Sequence, residues 1–181
     1  GVPTVQLRFK SGDAQAIRAE VRATVAGVQG TGARLFINDH WQEAIDAGAY
    51  GVHLGQEDLQ AMTPEGLGAI RQAGLRLGLS THGYAEMLLA DAHHPSYIAM
   101  GAVFPTTLKQ MATAPQGTGR LRAYAALLRE TPHMAIGGID LHNLPEVLNA
   151  GVRSVGVVRA LMAEPDLDAA VARWKAALKP T

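Results

Sequence analysis

The stretch Arg34–Asp58, RLFINDHWQEAIDAGAYGVHLGQED, decides the fold of this chain. It opens with an apolar run, Leu35–Ile37. Apolar residues then recur at helical spacing as far as Gly48, a typical helix end. A second apolar run, Val52–Leu54, follows soon after. The stretch therefore predicts a strand, a helix and a second strand, the repeating unit of a parallel sheet.

Both predicted strands of this stretch end in a carboxylate. Asp39 comes just after the first strand, and Asp58 comes just after the second. Because neighbouring strand ends lie side by side in a parallel sheet, we expect the two side chains in one mouth. Hard oxygen ligands placed this way suit a Mg²⁺ ion shared with a phosphate. Alternatively, each aspartate caps the helix that follows it. The pattern leaves both interpretations open, and the two are compatible.

The rest of the chain repeats the same alternation of strand and helix. Alternation this regular predicts an α/β fold in which parallel strands are joined by right-handed helical crossovers. The sequence contains seven such units, with strand ends near Arg8, Asn38, Gly55, Ser80, Gly101, Gly137 and Val158.

Either a doubly wound open sheet or a closed (β/α)8 barrel would accommodate these units. The first unit lacks a G-x-G-x-x-G sequence, which disfavours a dinucleotide-binding sheet. The polar residues cluster after the strands, where barrel enzymes place their chemistry. We therefore predict a single TIM-barrel domain over residues 1–181. Since seven units are one short of eight, we expect a first strand–helix unit before Gly1, or a barrel completed in another way.

The composition excludes several classes of function. Lys and Arg together number 16, as do Asp and Glu, so no overall basic field exists to attract nucleic acid. The chain has no cysteine, which excludes disulfides, thiol catalysis and zinc–thiolate sites, and fits the reducing cytoplasm. No apolar run approaches the roughly 20 residues that a membrane span needs. The oligomeric state is left open, with a homo-oligomer among the alternatives.

The polar side chains at the predicted strand ends are mainly cations, hydroxyls and carboxylates. Such a set suits a small phosphorylated or diphosphorylated ligand bound together with Mg²⁺. Gly137 and Gly138 would let backbone N–H groups approach a phosphate, although a tight turn explains the pair equally well. The set comprises Gln6, Arg8, Lys10, Asn38, Asp39, Glu57, Asp58, Ser80, Thr81, Thr106, Thr107, Lys109, Gly137, Gly138 and Arg159.

Six short motifs occur in a fixed order along the chain. They are VQLRFK at Val5–Lys10, IND at Ile37–Asp39, GVHLGQED at Gly51–Asp58, GLSTH at Gly78–His82, FPTTLK at Phe104–Lys109 and AIGGI at Ala135–Ile139. In these motifs the chain resembles the thiamine-phosphate synthase family over nearly its whole length. The resemblance implies a (β/α)8 barrel, which agrees with the alternation of strands and helices.

The resemblance also implies an activity and a set of site residues. The family joins hydroxymethylpyrimidine diphosphate to a thiazole phosphate and releases pyrophosphate in a Mg²⁺-assisted dissociative substitution. By motif, Asp39 and Asp58 would hold Mg²⁺. The cations that would stabilise the departing pyrophosphate are Arg8, Lys10 and Lys109. The pyrimidine diphosphate would be bound by Gln6, Arg8, Lys10, Asn38, Ser80 and Lys109. The thiazole phosphate would be bound by Thr106, Thr107, Gly138, Val158 and Arg159.

Three positions depart from the family pattern. Phe9 replaces a usual glutamate, Leu108 replaces a threonine, and Arg159 replaces a serine. The thiazole tautomerases, which are isomerases of the same superfamily, are an alternative, but their relatives carry a histidine where this chain has Ala102. A second alternative is a non-catalytic barrel that binds a phosphorylated ligand, although simple binding would not require both aspartates.

Overall fold

The structure is a computed structural model that describes residues 2–106 and 113–179. It divides into two compact units, Gly1–Leu79 and Ser80–Thr181. Strands and helices alternate in both units, so the predicted α/β class and all seven predicted strands are confirmed. Within the described ranges, no helix is both long enough and apolar enough to cross a membrane.

The first unit contains four parallel strands in sequence order. Its elements are β1 (Thr4–Leu7), α1 (Ala14–Val28), β2 (Arg34–Asn38), α2 (Trp41–Ala47), β3 (Gly51–Leu54), α3 (Gln56–Ala61), α4 (Pro64–Gln72) and β4 (Arg76–Thr81). The spatial order is β1-β2-β3-β4, and the register pairs Leu7 with Ile37 and Asn38 with His53. This register brings the carboxyl ends of β1, β2 and β3 together.

Local sequence signals explain the helices of the first unit. The side chain of Asp13 caps α1 by accepting the N–H of Gln15, and the apolar stripe of that helix buries Ile17 and Val21. Thr63 caps α4 by accepting the N–H of Gly66 at 3.2 Å. Both helices therefore begin at a residue whose side chain favours the N-cap position.

The second unit begins with the last two residues of β4. Its further elements are α5 (Tyr84–Asp91), β5 (Tyr97–Met100), α6 (Gly117–Leu127), β6 (His133–Ile136), α7 (Leu144–Asn149), β7 (Val155–Gly156), α8 (Arg159–Met162) and α9 (Leu167–Ala177). The end of β4 lies beside β5, since the N–H of Gly101 donates to the carbonyl of Thr81 at 3.1 Å. The parallel strands β5, β6 and β7 follow in that order.

Two boundaries and one helix differ from what the sequence pattern predicts. The apolar run over 152–158 predicts a strand of that length, but the final strand covers Val155–Gly156, because the backbone at Val158 leaves the extended region and starts the short helix α8. The sequence pattern predicts a helix from Leu121, whereas α6 begins at Gly117. The six-residue helix α3, which contains Asp58, was not predicted.

The strands form the centre of each unit. In the first unit, the side chains of Ile37, Val52 and Leu54 have no exposed surface. In the second unit, Ile98 and Ala135 are equally buried. Strands that are apolar on both faces are typical of parallel sheets covered by helices. The polar residues of interest are therefore confined to the strand ends.

Candidate functional site

The first group of candidate residues lies at the carboxyl ends of β1, β2 and β3. The N–H of Asp39 donates to the carbonyl of His53 at 2.9 Å, which extends the pairing of β2 and β3 by one residue. Asp39 has a φ of +67°, in the left-handed region, and the chain turns there directly into α2. Aspartate tolerates this conformation better than most residues. The turn places the Asp39 carboxylate at the mouth of the strands.

The helix-capping interpretation is wrong for both aspartates. Helix α2 has His40 at its cap position, with no side-chain capping bond. Helix α3 is capped by Gly55, and Asp58 lies inside its first turn. The position of Asp58 still suits a negative charge, because the amino-terminal end of a helix carries a partial positive charge. Neither aspartate is therefore an N-cap residue, although Asp58 accepts the backbone N–H of Gly55, the cap residue of α3.

Asp39 forms an ion pair with Lys10. The ammonium of Lys10 is 58% exposed, whereas the Asp39 side chain is 13% exposed. A second contact holds the segment just before Lys10. The ring of His40 donates through Nε2 to the carbonyl of Phe9 at 3.0 Å. The residue that departs from the family pattern, Phe9, thus contributes its backbone to holding Lys10 beside Asp39.

Asp39 and Asp58 share a hydrogen bond, and their pKa values move in opposite directions. Partial burial would raise the pKa of Asp39, but the hydrogen bond and charge of Lys10, with the hydrogen bond of Asp58, lower it overall. Partial burial, together with the charge of Asp39, raises the pKa of Asp58 against a backbone hydrogen bond from Gly55. Two carboxylates this close do not both ionise readily. Each charge therefore disfavours ionisation of the other carboxylate, and Lys10 favours the ionised form of Asp39.

This pair fits a divalent cation in one specific way. Among the described residues, no group of three or more His, Cys, Asp or Glu side chains could hold a metal on its own. Mg²⁺, however, is usually bound by one or two carboxylates together with substrate phosphates and water. Two oxygen-donor side chains this close match that requirement, because a cation between them offsets the repulsion of their charges.

His53 lies beneath the carboxylates on β3. It is 5% exposed, and burial lowers its pKa to about 4 against the opposing charge of Asp39. The imidazole is therefore neutral at neutral pH. A neutral ring adds no positive charge to the site, so Lys10 supplies the nearest cation in an observed contact with Asp39.

The remaining candidates of the first unit lie on the same strand ends. Gln6 and Arg8 are exposed at the end of β1, and Asn38 is half-buried at the end of β2. The structure brings these residues onto neighbouring strands with Lys10, as the sequence predicted. Of the residues predicted in the long loop, Thr106 is half-buried, whereas Thr107, Leu108 and Lys109 lie outside the described residues.

The second unit holds Ser80 at the end of β4, followed by a hydrogen-bonded network. Glu86 accepts the backbone N–H of His82 at 2.7 Å and contacts the ring Nδ1 at 3.0 Å. The side chain of Gln116 donates to the carbonyl of His82 at 2.5 Å. The backbone N–H and the carbonyl of His82 are therefore both held, and helix α5 has Gly83 at its cap position.

The glycine pair Gly137–Gly138 is explained by close packing. Both residues have positive φ angles, +90° and +68°. A Cβ on Gly137 would lie 2.4 Å from the Cβ of Ala102, and one on Gly138 would lie 2.5 Å from the carbonyl oxygen of Pro105. The N–H of Phe104 also donates to the carbonyl of Gly137 at 3.0 Å. The packing of this segment therefore requires glycine at both positions, with or without a phosphate beside them.

Val158 and Arg159 lie at the start of α8, and both are exposed. In the part of the chain that the structure describes, no carboxylate forms an ion pair with Arg159. The first N–H groups of a helix have no acceptor within it, so the backbone here offers free donors as well. The loop thus presents a cation and N–H groups together, as a phosphate site requires.

Sequence reasoning missed four residues of these networks, namely His40, His53, Glu86 and Gln116. Glu86 lies in the first turn of α5, four residues after His82, so a contact back to the residues just before the helix is a local signal. The other three gave no local signal, because each is held by a partner far away in the sequence.

Two cavities lie away from the candidate residues. One in the first unit, of about 200 Å³, is lined by residues that include Leu35, Ala49 and Tyr50. Another in the second unit, of about 390 Å³, is lined by residues that include His133 and Arg153. Both cavities lie at the amino ends of strands, opposite the ends where parallel α/β enzymes place their chemistry. Neither is a candidate active site.

Comparisons with known proteins agree with this arrangement. A family model described as thiamine monophosphate synthase matches residues 1–161. A thiamine-phosphate synthase of Neisseria meningitidis is 54% identical over 97% of this chain and 84% of its own length. One from Cronobacter sakazakii is 50% identical over 96% of this chain and 81% of its own. The solved thiamine phosphate pyrophosphorylase of Pyrococcus furiosus has a TM-score of 0.84 and 28% identity, over 98% of this chain and 83% of that one.

The parallel strand order, and the polar residues that follow the strands, define a barrel-type α/β enzyme that acts on phosphorylated small molecules. The thiamine-phosphate synthases named by the comparisons are transferases. The chain belongs to the thiamine monophosphate synthase family. Seven strands of the family's barrel fold are present among the described residues.

Proposed function

We propose that the chain joins hydroxymethylpyrimidine diphosphate to a thiazole phosphate, giving thiamine phosphate and pyrophosphate. The observation that carries the proposal is the Asp39–Asp58 pair beside Lys10, at the ends of adjacent parallel strands. A site that held only a phosphate would favour cations. Two adjacent carboxylates instead favour a diphosphate bound together with a divalent cation.

The exposed cations of the first unit bind the leaving diphosphate. Arg8 presents a fork of donors that matches phosphate oxygens, and Lys10 presents a compact charge that Asp39 orients. When the bond between the pyrimidine methylene and the diphosphate oxygen breaks, its electron pair leaves with the pyrophosphate. The two cations stabilise the charge that gathers there. Gln6 and Asn38 hold the substrate by neutral hydrogen bonds, and Lys109 adds a further cation.

Asp39 and Asp58 would hold Mg²⁺, which supplies Lewis-acid neutralisation of the diphosphate when bound. The lone pair of the thiazole nitrogen then forms the new bond to the methylene carbon. The electron-rich aminopyrimidine stabilises the cationic methylene, so no side chain needs to act as a nucleophile. Exclusion of water from the cation is the task of the surrounding side chains.

The second unit binds the thiazole phosphate and part of the pyrimidine substrate. The backbone N–H groups at Val158 and Arg159 face the phosphate, with the Arg159 guanidinium as a charged donor. Gly138 contributes backbone, and the hydroxyls of Thr106 and Thr107 complete the set. Ser80, at the end of β4, contacts the pyrimidine diphosphate.

The proposal is tested by incubating the protein with both substrates and measuring thiamine phosphate and pyrophosphate. Both products should appear in equal amounts with Mg²⁺ and disappear with a chelator. Incubation with the thiazole phosphate isomer alone tests the tautomerase alternative, for which Ala102 offers only a buried methyl group. Isomerisation without coupling would overturn the proposal, and so would tight binding of both substrates without any product.

A further inference from the structure

Gln116 is a buried amide whose donor and acceptor groups are both used. Its residue is 8% exposed, and its Nε2 donates to the carbonyl of His82 at 2.5 Å. Its Oε1 accepts from the hydroxyl of Tyr124 at 3.2 Å and from the guanidinium of Arg120 at 3.3 Å. A buried amide is costly unless its groups are bonded, so this satisfied arrangement fixes the side chain in one orientation.

The backbone of Gln116 is held as firmly as its side chain. Its N–H donates to the carbonyl of Ala102 at 2.8 Å, and the next N–H, of Gly117, donates to Val103 at 2.9 Å. Gln116 therefore joins three segments of the second unit: the end of β4, the segment after β5 and the first turns of α6. None of the proposed substrate contacts includes Gln116.

The end of β4 receives matching contacts from other residues. Glu86 accepts the N–H of His82, while the hydroxyl of Thr81 donates to the carbonyl of Ala99 at 3.4 Å. The carbonyl of Thr81 accepts the N–H of Gly101. The peptide groups of Thr81 and His82, the two residues after Ser80, are thus fixed. They hold the backbone that carries the Ser80 side chain.

We infer that Gln116 is a positioning residue for the pyrimidine diphosphate: by clamping the carbonyl of His82 it holds Ser80 in its binding orientation. The inference rests on the proposed function, because it assumes that Ser80 contacts that substrate. It adds a residue that acts through the backbone and touches neither substrate. Displacing a hydroxyl by a fraction of an ångström weakens a hydrogen bond that depends on distance and angle.

The most direct test is Gln116→Glu, which keeps the shape of the side chain. The oxygen that faces Tyr124 and Arg120 is retained, whereas the donor to the His82 carbonyl is replaced by a carboxylate oxygen, which repels that carbonyl and adds a negative charge. The KM for the pyrimidine diphosphate should rise about tenfold, the usual cost of one broken buried hydrogen bond, with the KM for thiazole phosphate unchanged. Glu86→Ala, which releases the N–H of the same residue from the other side, should shift the same constant, and it serves if Gln116→Glu does not fold.

Tyr124→Phe is the matched control. It removes one bond to Gln116 but leaves the bond to His82, so it should lower the melting temperature without changing either KM. A double-mutant cycle with Ser80→Ala isolates the pathway of the effect. If Gln116 acts through Ser80, then Gln116→Glu should change the KM no further once Ser80 is alanine. Additive effects in the cycle would overturn the inference.

A second readout does not depend on turnover. Amide hydrogen exchange at residues 81–83 should accelerate in Gln116→Glu and remain at the parent rate in Tyr124→Phe. If amide exchange in the parent and the variants is as expected but the parent makes no thiamine phosphate, only the proposed function is contradicted. Unchanged exchange at residues 81–83 in Gln116→Glu would contradict the positioning role, whatever the activity.

Discussion

Replacing Asp58 by asparagine should stabilise the metal-free protein while abolishing its turnover. Burial and the neighbouring charge of Asp39 raise the pKa of Asp58, so the ionised form of Asp58 is disfavoured in the folded protein. When it does ionise, the two like charges repel. At about 4 Å the repulsion is about 1 kcal/mol in water and about 4 kcal/mol at an effective dielectric constant of about 20. Because both side chains are partly exposed, we expect a value near the lower limit.

The asparagine amide can still donate to Asp39, so the hydrogen bond is kept and only the repulsion is lost. We therefore expect Asp58→Asn to gain about 1 kcal/mol at neutral pH, or about 2–4 °C in melting temperature. The direction follows from linkage. A carboxyl group whose pKa is raised by folding does not destabilise the protein at a pH below its ordinary pKa of 3.8. The destabilisation appears as the pH rises through the raised pKa of the folded state.

Two measurements decide this prediction. Without metal, the melting temperature of the variant should exceed that of the parent at neutral pH. This difference should disappear as the pH falls below about 4. Mg²⁺-dependent coupling by the variant should fall at least about a hundredfold, because several kilocalories of charge stabilisation are lost. Glu57→Gln, the same change of charge one residue earlier on an exposed side chain, should alter neither. A variant that is less stable than the parent, or equally active, would refute the reasoning.

Three further predictions follow from separate features. His53 has its pKa lowered to about 4, so its contribution to stability is complete above 6.5 and is lost, by on the order of 3 kcal/mol, as the pH falls toward 4. Urea unfolding should show this loss in the parent and not in His53→Gln. Arg159→Ala should raise the KM for thiazole phosphate about tenfold. Arg153→Ala, at an exposed control position, should leave this KM unchanged. If the parent and Arg159→Ala have the same KM, the backbone N–H groups alone bind the phosphate. Gly137→Ala should cost at least about 2 kcal/mol in unfolding experiments, since its Cβ would lie 2.4 Å from Ala102.

Parallel pairing explains why much of the first unit could be predicted. The apolar runs of β2 and β3 fix where the two strands end, and the pairing of Asn38 with His53 then brings Asp39 toward Asp58. Pattern alone therefore located the carboxylate pair. It could not reveal that Lys10 reaches Asp39, because that contact depends on the path of an irregular segment after β1.

The elements that escaped prediction are those without a periodic signal. Helix α3 has six residues, and only Leu59 among them is buried, which is too little for a helical stripe to be recognised. Gln116 is buried by partners near residues 82, 102 and 124, so its role depends on tertiary contacts that no local pattern encodes. The predicted length of β7 was too great, because the apolar run continues past the residues that pair with β6.

The backbone makes the two carboxylate positions unequal as targets for change. Asp39 occupies a left-handed conformation that asparagine and aspartate adopt far more readily than other residues, glycine excepted. Asp58 lies in an ordinary helical turn, where glutamate fits without strain. A longer carboxylate can therefore be tried at position 58 to alter cation preference, whereas at position 39 glutamate would also disturb the turn. We therefore expect substitutions that change the cation preference of this site, natural or engineered, to occur in α3 and not in the turn after β2.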